Sequence, residues 1–190
     1  MNIELAKSTD AATASVSVGA GTQERMGAGG VFHFQCFDKD GNLKWEDTAH
    51  NLVVNEGLQD MNTKYFKGVT YSAAWYLGLV DNSPSPTYAA GDTLASHGTW
   101  NETTAYSGNR KAVTFGTATL ADPSVISNSA SPAQFSMTGT VTVAGAFLAS
   151  VATGTSGILF SVSSFQAPGA RSVVSGDTIN VTYQFSLDAA

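Results

Sequence analysis

Apolar and polar side chains alternate along the end of the chain, in the strand predicted over residues 177–187. The apolar set is Ile179, Val181, Tyr183, Phe185 and Leu187. Successive side chains of a β-strand point to opposite faces, so a period of two predicts one buried face and one face that is solvated or in contact with a partner. The same interpretation applies to residues 134–150 and 158–165. Residues 71–80 and 111–120 are also predicted strands, which makes the chain mainly β.

A β-hairpin is predicted nearer the start of the chain. Residues 31–37 and 43–46 resemble strands, and the turn between them contains Asp40-Gly41, a pair typical of hairpins. A short strand is expected at residues 51–54. Several such strands, separated by turns rich in Gly, Pro, Asn and Ser, predict an antiparallel β-sandwich or jelly-roll over residues 31–190.

One short helix is predicted, over residues 55–66. The side chain of Asn55 would cap its first turn, and Gly68 would end it. Apolar residues recur there at spacings of three and four, namely Leu58, Met61, Tyr65 and Phe66. We expect this stripe to belong to the core.

Residues 1–30 differ in composition from the rest of the chain. They are small and polar and end in GAGG, so they contain too little apolar surface to offset the entropy of ordering them. We therefore predict an extended, flexible N-terminal arm. It is either a plain tail or a segment that orders on a partner, and its candidate anchoring residues are Ile3, Leu5, Val16 and Val18.

A long connection, residues 81–110, separates two of the predicted strands. Connections of this length are uncommon in compact domains and are often functional or contact-making. Aromatic residues gather around it in the sequence: Trp75, Tyr76, Tyr88, Trp100 and Tyr106. Such a cluster either binds a sugar or anchors the connection to the sheet, and His97 and Trp100 are the candidate residues for either role.

Charge is scarce and unevenly distributed. Charged residues make up 13% of the chain, the net charge is −6, and only four charged residues follow Lys111. This balance argues against a nucleic-acid-binding surface, which needs clustered Lys and Arg. No apolar run is long enough for a membrane span, and residues 1–30 lack the hydrophobic segment of a signal peptide, so synthesis in the cytoplasm is expected. An uncharged Ser/Thr surface suits a protein packed in an assembly, but it also suits an extracellular β-domain or a small neutral domain with a hydroxyl-rich surface.

The sequence contains no recognisable catalytic or metal-binding constellation. The three histidines lack ligand-like neighbours, and the single Cys36 excludes an internal disulfide. We expect no cofactor and no metal. Asp38 and Asp40 could serve a small glycan hydrolase, but turns attract Asp for their own reasons. The chain is therefore expected not to be an enzyme.

Four segments resemble small structural proteins of tailed bacteriophages. They are NLVVNEGL at residues 51–58, WYLGLV at 75–80, YAAGDTLASH at 88–97 and SGDTINVTY at 175–183. The first resembles an N-x-V-x-N-E-G-L stretch of that group. The resemblance implies a virion component without enzymatic activity, of the capsid cement or decoration type.

The same resemblance implies partners and a location. The partners would be the major capsid protein and copies of the chain itself, as a dimer or trimer, with no nucleic acid and no membrane. The location would be the phage head, after synthesis in the cytoplasm of the host bacterium. The alternative is a tail or fibre component that binds a host surface glycan near Trp75 and Trp100.

Overall fold

A computed structural model describes residues 26–71 and 74–189, and within them the chain is mainly antiparallel β with one helix. The strands are β1 (Met26–Phe37), β2 (Leu43–Val53), β3 (Tyr76–Asp81), β4 (Asn101–Glu102), β5 (Lys111–Ala112), β6 (Ser124–Ser127), β7 (Ala133–Ser136), β8 (Val141–Ala149), β9 (Leu159–Ser163), β10 (Arg171–Val173) and β11 (Thr178–Ala189). The helix is α1 (Asn55–Lys67). The prediction of a mainly β chain is confirmed.

Hydrogen bonds connect all eleven strands into one sheet. The strand order is β4-β3-β8-β9-β2-β1-β11-β6, with β5 beside β3, β10 beside β8 and β7 beside β11. Strand β2 joins the two halves of the sheet, because its residues 43–50 pair with β1 whereas its residues 51–53 pair with β9. The mainly antiparallel class is therefore established, and the sandwich or jelly-roll arrangement stays a prediction.

The segment that follows β4 forms backbone hydrogen bonds with strands at both ends of the sheet. The backbone N–H of Thr103 donates to the carbonyl of Leu79 in β3, at 3.0 Å. Further along, the N–H of Ser107 donates to Ser136 in β7, at 2.9 Å, and the N–H of Gly116 donates to Ser127 in β6, at 2.8 Å. This segment therefore links the two edges of the sheet.

Two apolar clusters lie on opposite faces of β8 and β9. The main core contains Phe32 and Phe34 of β1 and Leu148 of β8, and the second contains Trp100 and Phe147. All residues of β8 from Val143 onward are buried, so the expected half-exposed pattern is wrong for this strand. The reason is tertiary, because Trp100 of the long connection packs on Phe147, on the face opposite the main core.

Strand β1 begins earlier than expected, at Met26. Residues 26–30 pair with β11, for example Gly30 with Phe185, so the last five residues of the predicted arm belong to the sheet. Glycine is needed at position 30, because a Cβ there would lie 2.7 Å from the carbonyl oxygen of Gln184. The hairpin over residues 31–46 is confirmed.

The helix begins and ends as its sequence predicts, although its cap differs. Val54, not Asn55, is the N-cap, and no side chain caps the first turn. Gly68 ends the helix in the left-handed conformation, with φ of 63°. No helix in residues 26–71 or 74–189 is long and apolar enough to cross a membrane.

Candidate interaction surfaces

The predicted site residues divide into two groups. Ile3, Leu5, Val16 and Val18 lie outside the described residues. His97 and Trp100 do come together, with stacked rings whose centroids are 3.7 Å apart. Trp100 is only 2% exposed, and its other neighbours include Phe147 at 5.3 Å.

A buried carboxylate holds Trp100 in this position. The indole Nε1 donates to Oδ2 of Asp92 at 3.1 Å, and the same oxygen accepts the backbone N–H of Ala89 at 3.1 Å. Tyr88 packs beside the indole, and burial raises the pKa of its hydroxyl. The arrangement fastens the long connection to β8, and the buried indole has no free face for a sugar.

Trp75 belongs to a different part of the molecule. Its ring packs on Phe160 at 5.2 Å, and its Nε1 donates to the hydroxyl of Tyr71 at 2.6 Å. Trp75 and Tyr106 belong with the main core, whereas Tyr88 and Trp100 belong with the second cluster. The aromatic residues that are close in sequence therefore do not form one site.

Three of the four segments compared in the sequence analysis contain an acidic residue that connects distant parts of the fold through hydrogen bonds. Glu56 at the start of α1 accepts the backbone N–H groups of Leu159 at 2.8 Å and Leu94 at 3.4 Å. Asp177 accepts a hydrogen bond from the Lys44 ammonium and another from the N–H of Val174 at 2.9 Å. Together with Asp92, these carboxylates satisfy backbone groups and neighbouring side chains, so the motifs are accounted for by folding.

The helix packs on the sheet through its small and polar face. Gly57 and Asp60 are buried, and a Cβ on Gly57 would lie 2.5 Å from the carbonyl oxygen of Phe160. The expectation that the apolar stripe is core is wrong, because Tyr65 is 83% and Phe66 is 75% exposed. Only Met61 packs partly against the main core.

Large apolar side chains are consequently exposed along the helix and in the residues that follow it. We define the helix patch as Leu58, Tyr65, Phe66, Val69 and Tyr71, all of which are exposed. Lys64 and Lys67 are the basic residues of the last turn, and the Lys64 ammonium lies 5.8 Å from the Tyr71 ring. Helical periodicity predicted the apolar stripe. The one sequence signal that the opposite face of α1 packs on the sheet is the small residue Gly57.

A second exposed surface lies at the β1–β2 turn. We define the tip patch as Asp38, Asp40, Leu43 and Val174, in which Leu43 is 51% and Val174 is 43% exposed. Lys44 and Val174 both bond to Asp177, which brings the two segments together. The pKa of Asp38 is below its usual value because the side chain and backbone of Asn42 donate to its carboxylate.

The outward face of β2, β1 and β11 carries a shallow polar cleft of about 450 Å³. Its lining includes His33, Glu46, Asn180 and Thr182, and a hydrogen bond of 3.1 Å links His33 Nδ1 to the Thr48 hydroxyl. No group of three or more His, Cys, Asp or Glu residues in the described part of the chain is arranged to hold a metal.

No protein family model, curated protein or solved structure matches this chain. The resemblance to phage structural proteins therefore depends on the four sequence segments alone.

Proposed function

We propose that this chain is a non-enzymatic structural protein of a tailed-phage head, a cement or decoration protein that binds the major capsid protein and copies of itself. The observation that carries the proposal is the helix patch. Exposed apolar patches of this kind on soluble domains mark contact surfaces for other proteins. The phage-like segments supply the virion context, and the host cytoplasm is the expected place of synthesis.

The hydrogen bonds and ion pairs of the carboxylates favour a structural role over a catalytic one. Asp92, Asp177 and Glu56 each accept backbone hydrogen bonds, and Asp47 binds Arg171 at 2.6 Å. A general acid or base needs a carboxyl group that is free to exchange a proton with substrate. At the turn, the hydrogen bonds that lower the pKa of Asp38 make it a poor general acid.

A cement protein works by adding contact area across the seams of a shell. Burying apolar side chains contributes about 25 cal/mol per Å² before the entropy of association is subtracted. A single contact of this size is weak, but copies that each touch two neighbours gain from multivalency. The exposed aromatic rings of the helix patch suit such repeated contacts.

Copy number tests the proposal directly. In purified particles of the phage that encodes this chain, quantitative mass spectrometry is expected to find hundreds of copies per virion. Particles stripped of the protein should lose heat stability, and adding the purified protein back should restore it. A copy number of about a dozen would indicate a tail or connector component, and absence from particles would refute the virion assignment.

A tail or fibre role with glycan binding is the second candidate. It is favoured by the polar cleft on the outward sheet face, where Gln35, Asn180 and Thr182 offer hydrogen-bonding groups. A glycan array is the test, with Asn180→Ala as the cleft variant. Binding that this variant abolishes would support the fibre role, whereas an array without hits would oppose it.

A further inference from the structure

We propose that the N-terminal residues 1–25 cover the helix patch of the same molecule, with Val16 and Val18 as the contact residues. The inference goes beyond the proposed function, because it concerns the free chain before any assembly. Its test uses the purified protein, so it can fail while the chain is still found in particles, and the reverse also holds.

The helix patch is a surface that gains stability when it is covered. Tyr65 is 83% and Phe66 is 75% exposed, and their rings pack edge to face with centroids 4.9 Å apart. Removing such side chains from water contributes about 25 cal/mol per Å² of apolar surface. An apolar segment that is held close to these rings is therefore favoured to lie on them.

Strand β1 begins close to the start of the helix. A Cβ on Gly30 of β1 would lie 2.9 Å from the side-chain nitrogen of Asn51 in β2. The helix α1 begins four residues after this position, at Asn55. The first residues of β1 and the first turn of α1 are therefore at the same end of the sheet.

A chain of aromatic contacts leads from the same end to the helix patch. Gly30 pairs with Phe185 of β11, and the ring of Phe185 lies 5.3 Å from that of Phe160. Phe160 lies 5.2 Å from Trp75, which donates a hydrogen bond to Tyr71 of the helix patch. Residues 1–25 therefore join the sheet at the end where the patch lies.

The N-terminal residues are numerous enough to return to the patch. Met26 is four residues from Gly30, which corresponds to about 14 Å along a strand. Val18 and Val16 precede Met26 by eight and ten residues, and a fully extended chain of those lengths spans about 26 and 33 Å. Both valines can therefore reach back past Gly30 toward the helix.

The sequence around the two valines suits an apolar surface. Residues 11–23 contain no charged side chain, and within them Val16 and Val18 alternate with serines. In an extended segment this alternation would present the two valines on one face. Ile3 and Leu5 are further from β1 and lie on either side of a glutamate, so they suit the patch less well.

Tethering favours a segment of the same chain over a second copy. A short flexible linker holds its two ends at an effective concentration on the order of mM, whatever the concentration of the protein. A second copy would have to reach a similar concentration to compete for the same weak apolar contact. In a particle, a neighbour with a larger contact would displace the segment, so the segment would keep free copies apart before assembly.

Alkylation of a cysteine placed in the helix patch is the experiment. Val69→Cys in the full chain puts a thiol at an exposed position of the patch, whereas the native Cys36 is buried and gives only a slow background. A patch that is open one-fifth of the time reacts about fivefold more slowly than one that is always open. Adding Val16→Ser/Val18→Ser should therefore accelerate the reaction of Val69→Cys with a maleimide about fivefold or more.

Two matched variants show whether the effect is specific. Ile3→Ser/Leu5→Ser also removes two apolar side chains from residues 1–25, and it should leave the rate of Val69→Cys unchanged. Leu43→Cys lies at the other end of β1, where Leu43 pairs with Phe37 and is 51% exposed. Its rate should be the same with and without the valine substitutions. Every variant should keep the circular dichroism spectrum and melting temperature of the parent.

Other occupants of the patch give different results. A rate for Val69→Cys that the valine substitutions do not change would overturn the proposal, because the two valines then cover nothing. A rate that falls as the protein concentration rises would show that a second copy covers the patch, and it would also overturn the proposal. Acceleration by Ile3→Ser/Leu5→Ser in place of the valine pair would overturn the assignment of the contact residues.

Discussion

Arg110 and Glu102 form a bidentate ion pair within the long connection, next to β8. Nε of Arg110 donates to Oε1 of Glu102 at 2.9 Å, and a terminal guanidinium nitrogen donates to Oε2 at 2.7 Å. The other terminal nitrogen donates to the carbonyl of Val151 at 3.1 Å, and the guanidinium lies 5.1 Å from the Phe147 ring. This pair and the Trp100–Asp92 hydrogen bond both hold the connection against the sheet.

Replacing Arg110 with Ala is therefore expected to destabilise the protein substantially. Removing one partner of a buried pair leaves the other uncompensated and costs about 3–5 kcal/mol. Glu102 retains 25% exposure, so solvent screening brings the expected loss to the lower limit of this range or just below it, about 2–3 kcal/mol. Urea denaturation measures it, and Arg110→Lys should be intermediate because a lysine cannot form the bidentate pair.

The matched control is the exposed ion pair of the turn. Lys39 and Asp40 are 2.7 Å apart, but both are largely solvated. Lys39→Ala should therefore change stability by less than about 0.5 kcal/mol. Equal effects at Lys39 and Arg110 would mean that the connection is not held by the buried pair.

Removing the buried hydroxyl groups of Tyr183 and Tyr88 should have opposite effects on the stability of the protein. Tyr183 accepts a hydrogen bond from the Asn51 amide at 3.0 Å and another from the Ser161 hydroxyl at 3.3 Å. The Tyr88 hydroxyl is buried with no hydrogen-bond partner among the described residues. Tyr183→Phe should cost about 1–3 kcal/mol, because the Asn51 amide and the buried Ser161 hydroxyl lose their acceptor, whereas Tyr88→Phe should be neutral or stabilising.

Thermal denaturation of the two variants beside the parent checks this pair of expectations. The comparison is controlled internally, because both substitutions remove one buried hydroxyl oxygen from a tyrosine. A loss at Tyr88 as large as at Tyr183 would show that the Tyr88 hydroxyl has a partner, such as a bound water.

The sequence predicted the elements that local patterns determine. Alternation identified β11, the Asp40-Gly41 pair identified the hairpin, and Gly68 identified the end of the helix. Each of these signals acts within a few residues of the structure that it predicts. The stacking of His97 on Trp100 also joins residues that are close in sequence.

Contacts between distant segments could not be predicted in this way. Strand β8 is buried on both faces because Trp100 packs on Phe147, and no local pattern reports that contact. Helical periodicity identified the stripe containing Tyr65 and Phe66 but could not say whether another element covers it. Asp92, which holds Trp100, is not distinguished in the sequence from any other loop carboxylate.

The buried glycine of the helix gives a test of how α1 packs. Alanine has the higher helix propensity, by about 1 kcal/mol, so Gly57→Ala would stabilise an exposed helix. Here the added Cβ would meet the Phe160 backbone, where nothing can move aside cheaply. We expect a net loss of about 1–3 kcal/mol in urea denaturation, as for other overpacked sites.

Asn62→Ala supplies the matched comparison on the exposed side of the same helix. It should stabilise the protein by a few tenths of a kcal/mol, since only propensity changes. Stabilisation by both substitutions would contradict the close packing of α1 on β9.

The free thiol of Cys36 should make stability depend on pH in the alkaline range. Burial is the main cause that raises the pKa of Cys36 from 9.0 to about 11, with a smaller contribution from the charge of Asp177. Between these values the folded state holds a proton that the unfolded state has released. The free energy of unfolding therefore falls as pH rises through this window, and below pH 9 the contribution is fully present.

The expected contribution of Cys36 to this loss is about 1.4 kcal/mol between pH 8 and pH 10, since one pKa unit corresponds to 1.36 kcal/mol. Burial also raises the pKa of Tyr88, Tyr106 and Tyr183, so their ionisation in the unfolded state adds a further loss as pH approaches 10. Urea denaturation of the parent and of Cys36→Ala at half-unit steps of pH gives the Cys36 contribution as the difference between the two. Cys36→Ala should be less stable at pH 8, because a buried side chain has been truncated, but its stability should change less toward pH 10. A variant with the same pH slope as the parent would assign the effect to another group, because alanine has no proton to release.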